Sequence, residues 1–544
     1  MKKRRPATSY AYRRPSVSSG GLLGGSGSVG ATAIGPGGVL APGNSIGTMT
    51  VNGNLTLSSG AIYEVEANAQ GKSDKVVVKG TVNLTGATLF VLAASGNYKP
   101  STDYKIIDSD GSDAVTGRFG QVISSLAFLD PSLTYNGGDG NDVVLTLERN
   151  STLFSNVAKT RNHEAVAGAL DQFATDHALF LAVLNQTERG ARQAFDALSG
   201  EIHATVAGIL ADDSRYVREA VLGRLMQASH TGQSLAAGGP QVAMIDSQAM
   251  TLGEDASLYD GKSLIEPAPE PLAFWTRAFG AWGDFDTDGN AASADRDLGG
   301  FISGMDANIG GSWRAGLATG ASFSNVKVDA RYSSANVEMY HLGGYLGGMA
   351  GALALRGGGM WSWDNIDTSR AVIFPGFYER QTASYDADTG QIFGEVAYPT
   401  QMGGIALEPF GGLAFVSIDT DSFRERGGTL ANLHGDTNQD VGYSTVGLRA
   451  AHTFQRGAML VTPHTSAAWQ HAFDDMTPDA ALAFASNGID FTIYGVPLAE
   501  DSALIDAGLD FALGERTSAG VSYSGQFGDG VTDNGVKGRF TWLF

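Results

Sequence analysis

A two-residue alternation of apolar and polar side chains runs from Phe274 to the end of the chain at Phe544, with no helical period inside it. Such a period places successive side chains on opposite faces of a strand. Twelve strand candidates begin near residues 274, 298, 313, 335, 351, 381, 404, 441, 458, 502, 517 and 534. The connections after the even-numbered candidates are short, and those after the odd-numbered ones are mostly longer and polar. This pattern predicts a 12-stranded antiparallel transmembrane β-barrel.

The last strand candidate shows the two faces that such a barrel needs. One face is apolar and the other polar: Val536, Gly538, Phe540, Trp542 and Phe544 against Lys537, Arg539 and Thr541. Lipid outside and a wet lumen inside explain this division. The nearest approach to a spanning helix is Met339–Leu355, where five glycines and a central turn predict a barrel hairpin instead.

Composition narrows the classes of function. The formal net charge of −21 argues against nucleic-acid binding, which needs a basic surface. The absence of cysteine excludes thiol catalysis, thiolate zinc sites and disulfides, and it suits a chain that crosses the oxidising periplasm unfolded. The basic start Met1–Arg5 has no apolar run after it, so we expect no signal peptide in the chain as written. A truncated precursor and a protein that is not secreted both remain open.

The N-terminal part divides into two regions. Residues 1–34 form a low-complexity segment rich in glycine and serine, and residues 35–150 contain short β-type runs. Six positions recur 27 places later: Val51, Gly53, Leu55, Leu57, Ile62 and Tyr63 as Val78, Gly80, Val82, Leu84, Leu89 and Phe90. Repeats of this length must stack to bury their apolar faces, which predicts a parallel β-helix. A β-sandwich with a chance repeat is the alternative.

Residues 151–271 are predicted to be a helical linker between the β-helix and the barrel domain at 272–544. Apolar positions step by three and four residues through 153–231, which is the helical period. Residues 232–271 are loop-like. The overall prediction is a mainly β protein made of a β-helical stub, an α-helical linker and the barrel.

Five stretches, in this order, resemble those of monomeric (type V) autotransporters. Pro42–Gly47 is similar to the rungs of their passengers. The run from Ser73 through Val115–Phe119 to Leu145–Leu147 is similar to the C-terminal module of the passenger, so the resemblance assigns residues 35–150 to that module. Leu198–Ala204 is similar to the segment before the barrel, and Trp275–Gly280 to the first barrel strand. The terminal Phe544 resembles the signal that the outer-membrane assembly machinery recognises. The resemblance covers roughly residues 35–544.

The resemblance implies an outer-membrane barrel that secretes and displays its own passenger. It implies a pore helix at about 212–231 whose charged residues pair with lumen charges: Arg215, Arg218, Glu219 and Arg224. It further implies a membrane assembly signal formed by Phe540, Trp542 and Phe544. The expected partners are outer-membrane lipid, lipopolysaccharide and the barrel assembly machinery, and we expect a monomer that binds no nucleic acid.

An acidic loop after the first barrel strand is a candidate calcium site. Asp284, Asp286, Asp288 and Asp295 nearly match the spacing of an EF-hand loop, although an ordinary solvated loop is the favoured reading. No other cofactor is expected. The chain contains no G-x-S-x-G elbow in the passenger region, so we expect no enzymatic activity and a structural or adhesive passenger. The alternatives are a translocator for an enzymatic passenger encoded upstream, and a general solute pore.

Overall fold

The structure, a computed structural model, describes residues 14–93, 98–99, 101–110, 114–228, 272–456, 459–474, 476–514 and 516–544. The chain divides into two compact units. The first unit comprises 1–159, 163–198 and 372–379, and the second comprises 160–162, 199–371 and 380–544. The predicted loop at 232–271 and the predicted helix end at 229–231 lie outside the described residues.

The β-strands of the first unit form two sheets. The strands are β1 (Ser16–Val17), β2 (Leu22–Gly25), β3 (Gly27–Ile34), β4 (Val39–Pro42), β5 (Thr48–Leu57), β6 (Ile62–Ala67), β7 (Lys75–Val78), β8 (Val82–Asn83), β9 (Thr88–Ala93), β10 (Ser101–Ser109), β11 (Gln121–Ser124), β12 (Leu129–Gly137) and β13 (Asp142–Arg149). One sheet runs β1-β3-β5-β7-β10-β13-β12, with β8 beside β5, and the other runs β11-β9-β6-β4-β2. Pairing is parallel except among β10, β13 and β12. The predicted parallel β-helix is confirmed, and the antiparallel strands end it.

The predicted repeat has a period of 27 residues between β5 and β7 in one sheet and 26 between β6 and β9 in the other. Val51 pairs with Val78, as the sequence pattern predicts. Tyr63 pairs with Leu89, whereas the repeat predicted Phe90, so the prediction was wrong by one residue there. Since successive side chains point to opposite faces of a strand, this one-residue shift decides whether Leu89 or Phe90 points into the core. Leu89 is fully buried, as is Tyr63.

The shorter period comes from the turn between the two sheets. Three residues (58–60) separate the buried Leu57 from the buried Ala61, but only two separate Leu84 from Ala87. Both turns contain a glycine at positive φ, 79° at Gly60 and 69° at Gly86, where a side chain would be strained.

The segment 1–34 is not all low-complexity linker. Strands β1 to β3 build a full turn of the β-helix, in which Val29 pairs with Val51 and Ile34 is completely buried. Small residues allow this close stacking: a Cβ added at Gly53 would lie 3.1 Å from Ala31. Sequence patterning failed here because glycine and alanine carry too little apolar surface to show the strand alternation.

Three short helices follow the β-helix, after a 3-10 turn at Phe154–Val157. They are α1 (Arg161–Leu170), α2 (Ala178–Leu184) and α3 (Glu188–Leu198). The ring of Phe154 lies 4.8 Å from that of Phe128 and 5.0 Å from that of Phe180, so these aromatic side chains join the helices to the end of the β-helix.

The second unit is a closed antiparallel barrel with twelve principal strands in its described residues. These are β14 (Leu272–Phe285), β15 (Ala294–Gly310), β16 (Trp313–Val328), β17 (Ser333–Ala350), β18 (Leu353–Phe374), β19 (Phe377–Ala397), β21 (Ile405–Thr420), β24 (Asn438–Ala451), β26 (Met459–Phe473), β29 (Asp501–Ala512), β30 (Thr517–Gly528) and β31 (Val531–Leu543). The minor strands are β20 (Thr400–Met402), β22 (Phe423–Arg424), β23 (Leu433–Asp436), β25 (Phe454–Arg456), β27 (Asp479–Phe484) and β28 (Asp490–Tyr494). Pairing of β14 with β31 joins the first strand to the last and closes the barrel, as predicted.

The two ends of the barrel differ, and the end at which β14 begins carries the short connections. We call this the turn end and the opposite one the loop end. Two connections predicted to be longer loops are instead two-residue turns. β18 and β19 extend for 22 and 21 residues to a turn at 375–376, and 529–530 joins the shorter strands β30 and β31. Polar residues continue to alternate past the barrel wall in β18 and β19, so composition alone hid this hairpin.

Outward and inward side chains of the barrel follow the predicted alternation. Leu317, Ile392 and Leu413 point outward with 66–68% of their surface exposed. Polar side chains face the lumen, including Arg296 at 1% exposed. Among the described residues, no helix combines the length and the apolar character needed to cross a lipid bilayer.

Candidate functional site

In the part of the chain that the structure describes, one helix, α4 (Ile202–Ala228), lies inside the barrel. It contacts β14 to β17 on one side and β21 and β24 on another, and its side chains from Ile202 to Val221 are almost all buried. The pore helix was predicted to begin at about 212, whereas α4 begins ten residues earlier, at Ile202. Gly200, at a φ of 69°, lies just before this start. The helix carries polar groups on several faces because the surrounding lumen wall is polar.

The upper half of α4 is held by a buried cluster of charges near the loop end. Arg296 of β15 contacts Asp213 at 2.9 Å and Asp212 at 3.6 Å on the helix, and Asp533 of β31 at 3.0 Å. Arg215 of the helix donates to the same Asp533 oxygen at 2.7 Å. Removing one member of such a cluster leaves a charge buried without its partner, which is strongly destabilising.

The lower half of α4 is held by Asp306 of β15. Arg224 donates to both of its carboxylate oxygens, at 2.6 and 2.8 Å. Arg314 and the hydroxyl of Tyr345 donate to the same carboxylate, at 2.5 and 3.1 Å. The two-point arginine–carboxylate contact fixes the orientation of the helix as well as its position.

The other two predicted pore-helix charges also face the lumen wall. Glu219 pairs with Lys537 at 2.5 Å. Arg218 donates to the side-chain amide of Gln391 at 3.2 Å and lies 5.5 Å from the ring of Tyr443. Their role in closing a pore stays a prediction.

Sequence reasoning missed the wall partners Arg296, Asp306 and Asp533. Each occupies an inward position of its strand, and Asp306 has the outward-facing Met305 beside it. These partners could have been identified as charged residues at inward-facing positions of strands in which apolar and polar residues otherwise alternate.

Loops at the loop end fold over the start of α4. Strands β22, β23, β27 and β28 form a four-stranded sheet, which we call the cap sheet. Glu425, next to β22, contacts His203 of the helix at 3.2 Å and Arg370 of β18 at 2.6 Å. Burial alone would raise the pKa of Glu425, but Arg370 and His203 outweigh it and hold this pKa at about 2. The connection between β26 and β29, one of those predicted to be longer and polar, contributes two strands of the cap sheet, β27 and β28.

The three residues of the predicted assembly signal lie on the outer face of β31 or just beyond its end. Phe540, Trp542 and Phe544 are 37%, 46% and 40% exposed. The amide of Phe544 donates to the carbonyl of Leu272 at 3.0 Å, which ties the chain end to the start of β14. Recognition of these residues by an assembly machinery stays a prediction.

The four aspartates of the predicted calcium loop are partly engaged with the chain itself. Asp284 and Asp295 face each other across the β14–β15 ladder. Asp288 accepts from the amides at 290 and 291, both at 2.8 Å. Within the described part of the chain, no group of three or more His, Asp or Glu side chains is arranged to hold a metal ion. Calcium binding at this loop stays a prediction.

Comparison with known proteins identifies the barrel. Residues 274–524 match the sequence model of the autotransporter beta-domain family. The barrel is an autotransporter β-domain. The autotransporter barrel is accordingly an outer-membrane domain.

Similar proteins extend the match beyond the barrel. An extracellular serine protease from Serratia marcescens is 30% identical over 97% of this chain and 52% of its own length, so the chain spans about half of that relative. The adhesin BmaC autotransporter from Brucella suis is 38% identical over 14% of this chain and 2% of its own length. The translocator domain of the autotransporter NalP from Neisseria meningitidis matches with a TM-score of 0.46 and 14% identity, over 63% of this chain and 99% of that one.

Proposed function

We propose that this protein secretes and displays its own N-terminal β-helix at the cell surface. The position of α4 carries the proposal. The helix begins under the cap sheet at the loop end and reaches Asp306 toward the turn end, so the chain that precedes it leaves the barrel at the loop end. A passenger that had passed outward through the barrel would leave the following segment in this position, with its charges paired to the wall.

The passenger is proposed to be structural or adhesive. The regular stack of β1 to β11 offers an extended surface, and one relative is named an adhesin. A second candidate is a proteolytic passenger, because the relative that is 30% identical is named an extracellular serine protease. Assay of the full gene product on peptide and protein substrates, with and without a serine-protease inhibitor, separates the two candidates.

The outward-facing apolar side chains of the barrel are proposed to contact outer-membrane lipid and lipopolysaccharide. Phe540, Trp542 and Phe544, on or just beyond the outer face of β31, are proposed to be recognised by the barrel assembly machinery. A monomer suffices for both, because β14 and β31 close the barrel within one chain.

Protease treatment of intact cells tests the display function. The expected result is loss of β-helix epitopes, while a protected barrel fragment keeps its heat-modifiable migration on gels. Complete protection of the β-helix in intact cells, followed by digestion after permeabilisation, would contradict the proposal.

A further inference from the structure

A charged cavity lies beside α4 in the barrel lumen. Its volume is about 230 Å³, and its wall is built from residues of β14, β19, β20, β21, β24, β26, β29, β30 and β31 together with one face of the helix. The helix contacts β14 to β17, β21 and β24 but has few contacts with β26, β29 and β30, so it leaves this space on that side of the lumen. A water molecule needs roughly 10–15 Å³ of such volume, so the cavity has room for a hydrated ion.

The lining of the cavity carries more basic than acidic side chains. Six are arginine or lysine: Arg215, Arg218, Arg277, Arg449, Lys537 and Arg539. Four are acidic: Glu219, Glu395, Glu408 and Asp506. The lining therefore has two more cationic than anionic groups, with His464 in addition. Four charged groups stand behind the lining, two acidic and two basic, so they leave this excess unchanged. Asp510 pairs with Arg539, Arg356 with Glu395, and Asp533 with both Arg215 and Arg296.

Two of the six basic groups account for the excess. Arg215, Arg449, Lys537 and Arg539 each pair with a carboxylate. Arg218 instead contacts Gln391, and Arg277 donates to the main-chain carbonyl of Glu219 at 3.4 Å. Across the described residues, no carboxylate forms an ion pair with either guanidinium.

Arg277 also stands beside a second arginine. In the β14–β31 ladder Arg277 is directly opposite Arg539, and both side chains face the lumen. Like charges directly opposite each other on neighbouring strands are destabilising. Asp510 contacts Arg539 but forms no ion pair with Arg277 in the described structure, so only one arginine of this pair is in ion-pair contact with a carboxylate.

The acidic excess of the lumen lies elsewhere and does not neutralise the cavity. Asp212, Asp213 and Asp533 gather around Arg296 near the loop end, where Arg215 reaches them. Arg277 lies on β14 five residues from its start, closer to the turn end. The lumen is thus divided along its length into an acidic level and a basic level.

We propose that the cavity beside α4 binds a small inorganic anion of the halide class, held between Arg218, Arg277 and the neighbouring Arg539. The anion supplies the negative charge that the basic level lacks while α4 occupies the lumen. The space suits a hydrated monovalent ion, since the cavity is too small for a folded segment and Arg218 and Arg277 line it.

Bromide replaces chloride as a probe that can be located directly. Crystals of the full chain grown in sodium bromide are expected to show an anomalous peak in the cavity, in contact with Arg218 or Arg277. In Arg277→Gln the same occupancy should need at least about tenfold more bromide, because one charge-assisted contact is lost. In the double variant Arg218→Gln with Arg277→Gln the cavity peak should disappear.

Arg380→Gln is the matched control, because Arg380 is exposed and bonds only to Ser369 among the described residues. It should leave the cavity peak unchanged. Heat-modifiable migration shows that each variant has a folded barrel before the crystals are compared. Bromide found only at the protein surface, or a cavity peak that persists in the double variant, would overturn the proposal.

Discussion

Asp306 is the carboxylate on which the lower half of the lumen helix depends. It lies in β15 with 2% of its surface exposed, and it accepts both donors of Arg224 together with those of Arg314 and Tyr345. Asp306→Asn keeps the size of the side chain but removes its charge and one of its two acceptor oxygens. Arg224 and Arg314 would then be buried without their carboxylate.

The size of the effect follows from the burial of this group. Breaking a buried ion pair by removing one partner costs about 3–5 kcal/mol. If most of that cost falls on the state with α4 seated, the ratio of seated to displaced helix falls by roughly 100- to 4,000-fold, at about 1.4 kcal/mol per factor of ten. We therefore expect Asp306→Asn to populate a state in which the lumen is open.

Single-barrel conductance in planar lipid bilayers measures this directly. The unmodified protein should remain mostly closed, and Asp306→Asn should enter a large-conductance state at least about a hundred times more often. Asp388→Asn is the matched control, because Asp388 accepts from the outward-facing Trp361 and touches no part of the helix. An Asp306→Asn barrel that migrates as folded yet opens no more often than Asp388→Asn would refute the reasoning.

Three further perturbations test other parts of the molecule. Burial raises the pKa of Asp74 to about 6, although two backbone N–H groups that donate to this carboxylate lower it. Protonated Asp74 therefore stabilises the β-helix fully below pH 3.8, and this contribution is lost as the pH rises through about 6. Proteolysis in urea should therefore give a β-helix midpoint that falls between pH 5 and 7.5, and in Asp74→Asn this pH dependence should vanish. Glu425→Gln leaves Arg370 buried without its carboxylate at a cost of about 3–5 kcal/mol, so limited proteolysis should cut the cap sheet while the barrel stays intact. Val536→Arg places a charge on the lipid face and should lower barrel stability in bilayers by about 2–4 kcal/mol, whereas Lys537→Arg on the lumen face should not.

Side-chain alternation predicts this barrel well because lipid outside and polar lumen inside impose opposite chemistry on neighbouring positions. The twelve strands and their closure follow from it. The extended hairpin of β18 and β19 does not, because beyond the wall both faces meet polar surroundings and the alternation loses its contrast. The first turn of the β-helix was hidden for a related reason, since Gly53 and Ala31 stack closely without apolar bulk.

The helix in the lumen shows a different limit. Its presence in the lumen and the pairing of its charged residues Arg215, Glu219 and Arg224 could be anticipated only from the resemblance to autotransporters, because a helical period predicts a helix and not where it lies. Their partners could not, because Asp306 and Asp533 lie 82 and 318 residues away in the chain from the arginines that they bind. Such pairs depend on the register of the barrel and on the depth of the helix, which no local pattern encodes.

The central claim, that the barrel displays the β-helix outside the cell, can be tested with single cysteines because the chain has none of its own. Lys79→Cys places a thiol on an exposed position of the β-helix, and Gln401→Cys places one near the short connection at the turn end. In intact cells a membrane-impermeant maleimide should label Lys79→Cys and spare Gln401→Cys, which should react only after permeabilisation. Labelling of Gln401→Cys in intact cells, with Lys79→Cys protected, would contradict the account.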